Sequence, residues 1–149
     1  MTYENLWMPP LLSGQTIAQV GDRYDGDVLG DDPVAAATEA VRTALTAVAS
    51  VLPGEGTVDT STGDLSMEAY VTQLAFENLI HGWDLLAGIG GERRLDPGLV
   101  AEAGRRFDEF EQAYRSSNSI GPRLPLTGEP QADLLARFGR DHAWSGPSR

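Results

Sequence analysis

Apolar residues recur at helical spacing in two long segments of the chain. In residues 34–52 the separations are three, four or seven positions, which is typical of one face of an α-helix; the residues are Val34, Val41, Leu45, Val48 and Leu52. Residues 97–115 carry a second stripe: Leu99, Val100, Ala103, Phe107, Phe110 and Tyr114. An Asp-Pro pair precedes each segment, and Asp favours the N-cap and Pro the first helical position. The sequence therefore predicts helices at 34–52 and 97–115.

Two further helices are predicted from their end signals. Ser66 can cap a helix over residues 67–88, which Gly88, Gly90 and Gly91 then end as a C-terminal turn. Pro130 begins a short helix that Gly139 ends after residue 138.

The remaining segments are predicted to connect these helices. Residues 3–12 have the composition of the last turns of a helix, and Pro9 and Pro10 are expected to end it. Segments 13–32 and 116–128 are expected to be loops. Residues 55–65 are expected to be an extended connection, and residues 140–149 a tail in which Trp144 packs back on the body.

This arrangement predicts an all-α fold in which helix packs on helix, because no alternation of strands and helices is present. A length of 149 residues fits a single domain, 1–149. The chain has no cysteine, which excludes disulfides, cysteine-ligated zinc and a protein thiol nucleophile. We expect a cytoplasmic protein, since a reducing compartment suits such a chain.

The charge balance restricts the choice of partners. The formal net charge is −11, and such an acidic surface repels nucleic-acid phosphates and anionic lipid headgroups. The N-terminus lacks the features of a signal peptide, and no apolar run approaches the length expected of a membrane span. We therefore expect neither nucleic acid nor a membrane as a partner.

The candidate chemistry lies on the predicted helix 67–88. Glu77 and His81 are one turn apart on the face that also carries Leu74, so a carboxylate and an imidazole are expected to point inward. They could supply an oxygen and a nitrogen to one divalent metal. Taken alone, the pair more often serves only to stabilise a helix. Asp84 could orient a ligand by accepting its hydrogen bond, or could pair with an arginine from elsewhere.

Three segments carry a resemblance to a known family. Residues 74–87, LAFENLIHGWDLLA, resemble the signature helix of the mycothiol-dependent maleylpyruvate isomerase family, a branch of the DinB-like bundles. Residues 20–33, VGDRYDGDVLGDDP, look like the loop before that family's second helix. Residues 134–144, LLARFGRDHAW, look like its closing segment. The resemblance covers nearly the whole chain.

The resemblance implies a DinB-like, up-and-down four-helix bundle in which Glu77 and His81 are two of three metal ligands. The metal would be divalent, with zinc the best fit. It would hold the thiolate of mycothiol, which would attack an electrophilic substrate in an isomerase or S-transferase reaction.

One departure from the family affects the metal site. Family members begin with a helix that carries the third ligand, a histidine, ahead of a segment like residues 3–7. That first helix is missing from this sequence, so the site is expected to be incomplete. His142 is expected to be an exposed tail histidine and no substitute. The alternatives are an inactive or dimerising bundle that covers the exposed groove, or a true start upstream of Met1.

Overall fold

The computed structural model describes residues 1–61 and 63–144, and these are mostly helical. The elements in chain order are α1 (Thr2–Leu12), α2 (Ile17–Val20), α3 (Pro33–Val51), β1 (Thr57–Val58), β2 (Leu65–Ser66), α4 (Met67–Ile89), α5 (Pro97–Ser116) and α6 (Pro130–Arg137). The chain divides into two compact units, and the division falls after Ala75, within α4.

The helical fold class and the bounds of the four longer predicted helices are confirmed to within about two residues. Asp32 accepts a hydrogen bond from the Ala35 N–H at 3.0 Å, and Asp96 accepts one from the Leu99 N–H at 2.9 Å. Both aspartates are followed by a proline in the first turn, so the two Asp-Pro signals act as helix starts.

The core of the first unit forms where α1 packs on α3. Its buried apolar residues come from both helices and from the segments around them: Met8, Leu11, Leu12, Val20, Ala44, Val58, Tyr70 and Leu74. The buried positions of α3 are Ala40 and Ala44, and small side chains let two helix backbones approach closely.

The apolar stripe predicted to bury α3 is buried only at its C-terminal end, where Val48 packs against the core. Val34, Val41 and Leu45 are 77%, 44% and 64% exposed. The alanine face of the helix is buried in their place, because α1 packs against that side and neither propensity nor periodicity encodes which side a neighbour takes. The first unit therefore presents a row of exposed apolar side chains along α3.

α3 also meets the length and composition of a membrane-crossing helix, which corrects the expectation that no apolar run approaches that length. This likeness is weak, since buried helices of soluble proteins satisfy it too. The Arg42–Glu39 ion pair lies in the middle of the helix, with both side chains largely exposed.

The prediction that Pro9 and Pro10 end the first helix is also wrong. Both prolines lie inside α1, which runs on to Leu12. Their carbonyls accept hydrogen bonds from the Ser13 and Gln15 N–H groups at 3.1 and 3.0 Å, which closes the last turn. The free energy gained by burying Leu11 and Leu12 offsets the loss of the two backbone hydrogen bonds that Pro9 and Pro10 cannot donate.

The loop predicted over residues 13–32 contains the short helix α2. Thr16 begins it with a reciprocal cap: its side chain accepts from the Gln19 N–H at 3.2 Å, and the Gln19 side chain accepts from the Thr16 N–H at 2.8 Å. The extended connection expected over 55–65 forms most of the antiparallel pair of β1 and β2, which continues to Ser66, and Val58 in this pair is buried.

Aromatic rings form the core of the second unit. Phe138, after α6, packs on Phe107 and Tyr114 of α5, with ring centroids 4.5 and 5.9 Å apart. Phe76 of α4 meets Phe110 edge-on at 6.1 Å. The expected packing of Trp144 is not found, because the residue is 44% exposed. Its carbonyl accepts a hydrogen bond from Arg93, and its N–H donates to the Asp141 carbonyl at 3.0 Å.

A glycine substitution tests the packing of this unit. Gly139 has φ +78°, and a Cβ there would lie 3.0 Å from backbone atoms of Gly121. We expect Gly139→Ala to destabilise by about 2–3 kcal/mol, combining an unfavourable φ with a backbone clash. Gly128 has φ +89° but open space around it, so Gly128→Ala should cost only about 1 kcal/mol. Equal losses in urea unfolding would show that the contact with Gly121 is unimportant.

Candidate functional site

Two helix ends bring distant residues to one place in the second unit. α5 ends with Asn118 at φ +55° and the Ser119 N–H bonded to the Tyr114 carbonyl at 2.9 Å. α6 ends in the same way at Gly139, with the Arg140 N–H bonded to the Leu135 carbonyl at 2.8 Å. Both are Schellman turns, in which a left-handed residue reverses the chain and directs the next residue back along the helix.

Ser119 and Arg140, the residues that follow these turns, line a cavity of about 210 Å³. The complete lining comes from α4, α5 and the two turns: Glu77, Ile80, His81, Tyr114, Ser119, Ile120, Phe138 and Arg140. Apolar side chains and a small set of polar groups face the same space. This composition is typical of a small-molecule site, although the volume suits only a small ligand.

His81 is the first residue of a chain of charged contacts at the cavity. Its Nδ1 lies 3.3 Å from Asp84 Oδ2. Arg140 donates hydrogen bonds to the same carboxylate from two nitrogens, Nη2 at 3.0 Å and Nε at 3.3 Å. Of the two alternatives considered for Asp84, the structure therefore shows the pairing with an arginine, and the same carboxylate also contacts the imidazole. The contact leaves His81 Nε2 as the nitrogen available to a ligand.

The burial of the two predicted ligands differs. Glu77 is half-buried, as an inward-facing carboxylate should be. The imidazole of His81 is 45% exposed, so the expectation of an inward face holds only in part at that position. Leu85, one turn further on, is 55% exposed, because this face of α4 opens to solvent towards the end of the helix.

Tyr114 contributes a buried hydroxyl to the cavity. The residue is 5% exposed, and the Glu77 carboxylate lies near enough to its hydroxyl to interact with it. Burial raises the pKa of Tyr114, and the nearby negative charge of Glu77 raises that pKa further. The phenol therefore keeps its proton at neutral pH and acts as a hydrogen-bond donor.

Glu77 and His81 line one cavity, and no third ligand joins them among the described residues. Among residues 1–61 and 63–144 no three His, Asp or Glu side chains are grouped so that they could hold a metal ion. His142 is half-exposed and lines a different cavity, with Trp83, Arg93 and Gln131.

Sequence reasoning did not assign Tyr114, Ser119 or Arg140 to the site. Tyr114 was identified only as a member of the apolar stripe of α5. Arg140 directly follows the helix-ending Gly139, and this was the one signal that could have suggested an inward arginine.

A network around Glu111 holds the loop that supplies Ser119 and Ile120. Arg115 donates to Glu111 at 2.8 Å and to the carbonyls of Gly121 and Arg137 at 2.6 and 2.9 Å. Arg123 donates to both oxygens of the same carboxylate. Hydrogen bonds from Arg123, and then those from Arg115, lower the pKa of Glu111 from 4.5 to about 2. One carboxylate thus fixes the loop that forms the cavity wall.

No family model, curated protein or solved structure matches this chain. Its likeness to the maleylpyruvate isomerase family therefore rests on the three sequence segments.

The Glu111 network should make stability depend on acid pH. The pKa of this carboxyl is lowered on folding, so its contribution is full above about pH 4.5 and is lost as the pH falls towards 2. We expect Glu111→Gln to cost about 1–2 kcal/mol near neutral pH. Its unfolding free energy should also vary less between pH 4.5 and 2.

Glu109, which forms an exposed pair with Arg106 at 3.3 Å, provides the control for that experiment. Glu109→Gln should change stability by less than about 0.5 kcal/mol. Equal effects of the two substitutions in urea unfolding would contradict a special role for Glu111.

Proposed function

We propose that the chain is a cytoplasmic DinB-like protein of the mycothiol-dependent maleylpyruvate isomerase type, and that its cavity beside α4 binds a divalent metal and a small molecule. The observation that carries the proposal is the shared cavity of Glu77, His81 and the Tyr114 hydroxyl. The sequence of residues 74–87 supports the same assignment.

The residues present fit part of a zinc site. A carboxylate oxygen from Glu77 and Nε2 of His81 are donors that zinc accepts. Asp84, which contacts Nδ1 of the same imidazole, would fix the orientation of the ring. Catalytic zinc commonly has three protein ligands, and this cavity offers two. We therefore propose a weak site, completed by a ligand outside the described residues or by the thiol itself.

When bound, the metal would lower the pKa of a small thiol such as mycothiol and hold it as a thiolate. The protein would orient the electrophilic partner beside that sulfur. Water would be excluded from the electrophilic partner by the apolar side chains of Ile80, Ile120 and Phe138. Tyr114 could donate a hydrogen bond to an oxygen of this partner. Arg140, held by Asp84, would present its remaining donors from a fixed position. Addition of the sulfur to carbon fits an isomerase or an S-transferase.

Zinc titration by calorimetry tests this function. We expect the chain to bind zinc with a Kd above about 10 μM, because a site with two protein ligands forfeits much of the binding free energy of a complete one. His81→Ala and Glu77→Gln should each remove the binding. His142→Ala, which alters an exposed histidine outside the cavity, should leave it unchanged. Tight stoichiometric zinc would show that other ligands complete the site, and absence of zinc binding in the unaltered chain would refute the metal site.

The exposed face of α3 favours a second candidate function, that of a self-associating module. Val34, Val41 and Leu45 lie on one side of this helix, spaced by seven and four residues. Contiguous exposed apolar side chains on a soluble protein often mark an interface. Two copies could cover this face mutually in a homodimer without any catalytic role.

Sedimentation analysis tests this candidate. If α3 forms an interface, the chain should associate with increasing concentration, and Leu45→Glu should return it to a monomer, because a buried unpaired charge opposes the contact. Leu126 is 59% exposed and lies in a loop, so Leu126→Glu is the matched control and should leave association intact. A monomer at every concentration would exclude the module.

A further inference from the structure

The second unit contains another cavity, of about 440 Å³, which shares no lining residue with the cavity beside Glu77. Its volume falls within the usual range of small-molecule sites, about 300–1,000 Å³, whereas the 210 Å³ beside Glu77 lies below that range. The lining comes from α4, the segment after it, the start of α6 and the tail: Trp83, Gly91, Glu92, Arg93, Arg94, Glu129, Gln131, Ala132 and His142.

Gln131 holds two walls of this cavity together. Its side-chain oxygen accepts a hydrogen bond from the Leu95 N–H at 2.9 Å, and its side-chain nitrogen donates to the Arg93 carbonyl at 2.9 Å. This reciprocal pair fixes the segment after α4 against α6. Within the segment, Glu92 accepts a hydrogen bond from the Arg94 N–H at 3.1 Å. The walls are therefore formed by contacts of the protein itself and do not need a ligand to assemble.

The guanidinium of Arg93 is held in this cavity without a carboxylate. It lies over the Trp83 ring, 5.7 Å from the centroid, and donates a hydrogen bond to the Trp144 carbonyl. Trp83 is 3% exposed, so its ring is a fixed support. The Trp144 carbonyl is the one hydrogen-bond acceptor of this guanidinium among the described residues, which leaves further donors of the planar group for a ligand carboxylate.

Charged side chains of both signs line the cavity: Glu92, Arg93, Arg94 and Glu129. No ion pair joins any of these to another within the described part of the chain. Glu129 uses one carboxylate oxygen to accept a hydrogen bond from the Ala132 N–H at 2.7 Å. Opposite charges that stand unpaired around one space complement a molecule that carries both charges. An anion or a cation alone would meet one favourable and one unfavourable sign.

We propose that this cavity binds a small zwitterion, with its carboxylate at Arg93 and its ammonium group at Glu129, which is the chemistry of a free amino acid or a dipeptide. Trp83 and Ala132, both buried, would contact the apolar part of the molecule. The inference goes beyond the proposed function, because it uses no metal and none of the residues of the cavity beside Glu77.

Protein-detected NMR titrations with four probes, in the presence of EDTA, test this proposal, with the indole N–H signal of Trp83 as the local reporter. The probes are L-leucine, the dipeptide glycyl-L-leucine, N-acetyl-L-leucine, which lacks the ammonium group, and L-leucinamide, which lacks the carboxylate. We expect leucine or the dipeptide to bind with a Kd of about 1 mM, because solvated charge pairs each contribute little. N-acetyl-leucine and leucinamide should each bind about fivefold more weakly than leucine.

Two substitutions assign the charges to their partners. Arg93→Gln should weaken binding of leucine and N-acetyl-leucine about fivefold and leave leucinamide unaffected, since leucinamide has no carboxylate to lose a partner. Glu129→Gln should weaken leucine and leucinamide and leave N-acetyl-leucine unaffected, while its side-chain oxygen can still cap α6. Arg105→Gln alters an exposed arginine of α5 that pairs with Glu102, so it is the matched control and should change none of the affinities.

This pattern of selective losses supports a zwitterion site, and the tighter of leucine and the dipeptide identifies the length of the molecule. Absence of binding by both overturns the proposal. Equal affinities for leucine and its two analogues overturn it as well, because they indicate contact with the Trp83 ring alone. Equal losses for every probe in Arg93→Gln indicate a displaced wall and overturn the assignment of the carboxylate to Arg93. None of these outcomes depends on whether zinc binds beside Glu77.

Discussion

The close approach of two glycine backbones, at Gly121 and Gly139, is the constraint on which the arrangement of the second unit depends. A Cβ at position 139 would lie 3.0 Å from three backbone atoms of Gly121, so no larger residue fits without displacement. The same residue supplies the left-handed conformation that ends α6. Phe138 before it reaches the aromatic core, and Arg140 after it reaches Asp84. Core packing and cavity chemistry are thus set by one turn.

The parts of the fold that could be predicted are those whose causes are local. An Asp-Pro pair begins a helix through its own side-chain oxygen and fixed φ, and a glycine ends one through its own left-handed backbone. The buried face of α3 has no local cause. Valines and alanines both repeat at helical spacing there, and α1 packs against the alanines. α1 continues through Pro9 and Pro10 for a similar reason, because burial of the residues beyond them outweighs a local penalty.

The candidate site divides in the same way. Glu77 and His81 were predictable because a spacing of four residues places them on one helix face whatever surrounds them. Tyr114 and Arg140 reach the cavity from positions 37 and 63 residues after Glu77, through the ends of two other helices. The helical spacing of apolar residues predicted that Tyr114 lies in the core, and the position of its ring confirms this. The same spacing does not predict what the hydroxyl of a buried tyrosine contacts. The polar half of a buried tyrosine becomes informative only when its surroundings are known.

The charges around the cavity favour a cation over an anion. Asp84 balances Arg140 through two hydrogen bonds, so the remaining formal charge in the lining is that of Glu77 whenever His81 is neutral. A net charge of −11 over the whole chain attracts cations to its surface in the same direction. An anionic substrate would be repelled both by Glu77 in the cavity and by the net negative charge of the whole chain. A divalent ion reverses the local sign, and a thiolate or a carbonyl oxygen could then approach the same space. The charge distribution thus favours a cation over an anion at this cavity, whatever chemistry takes place there.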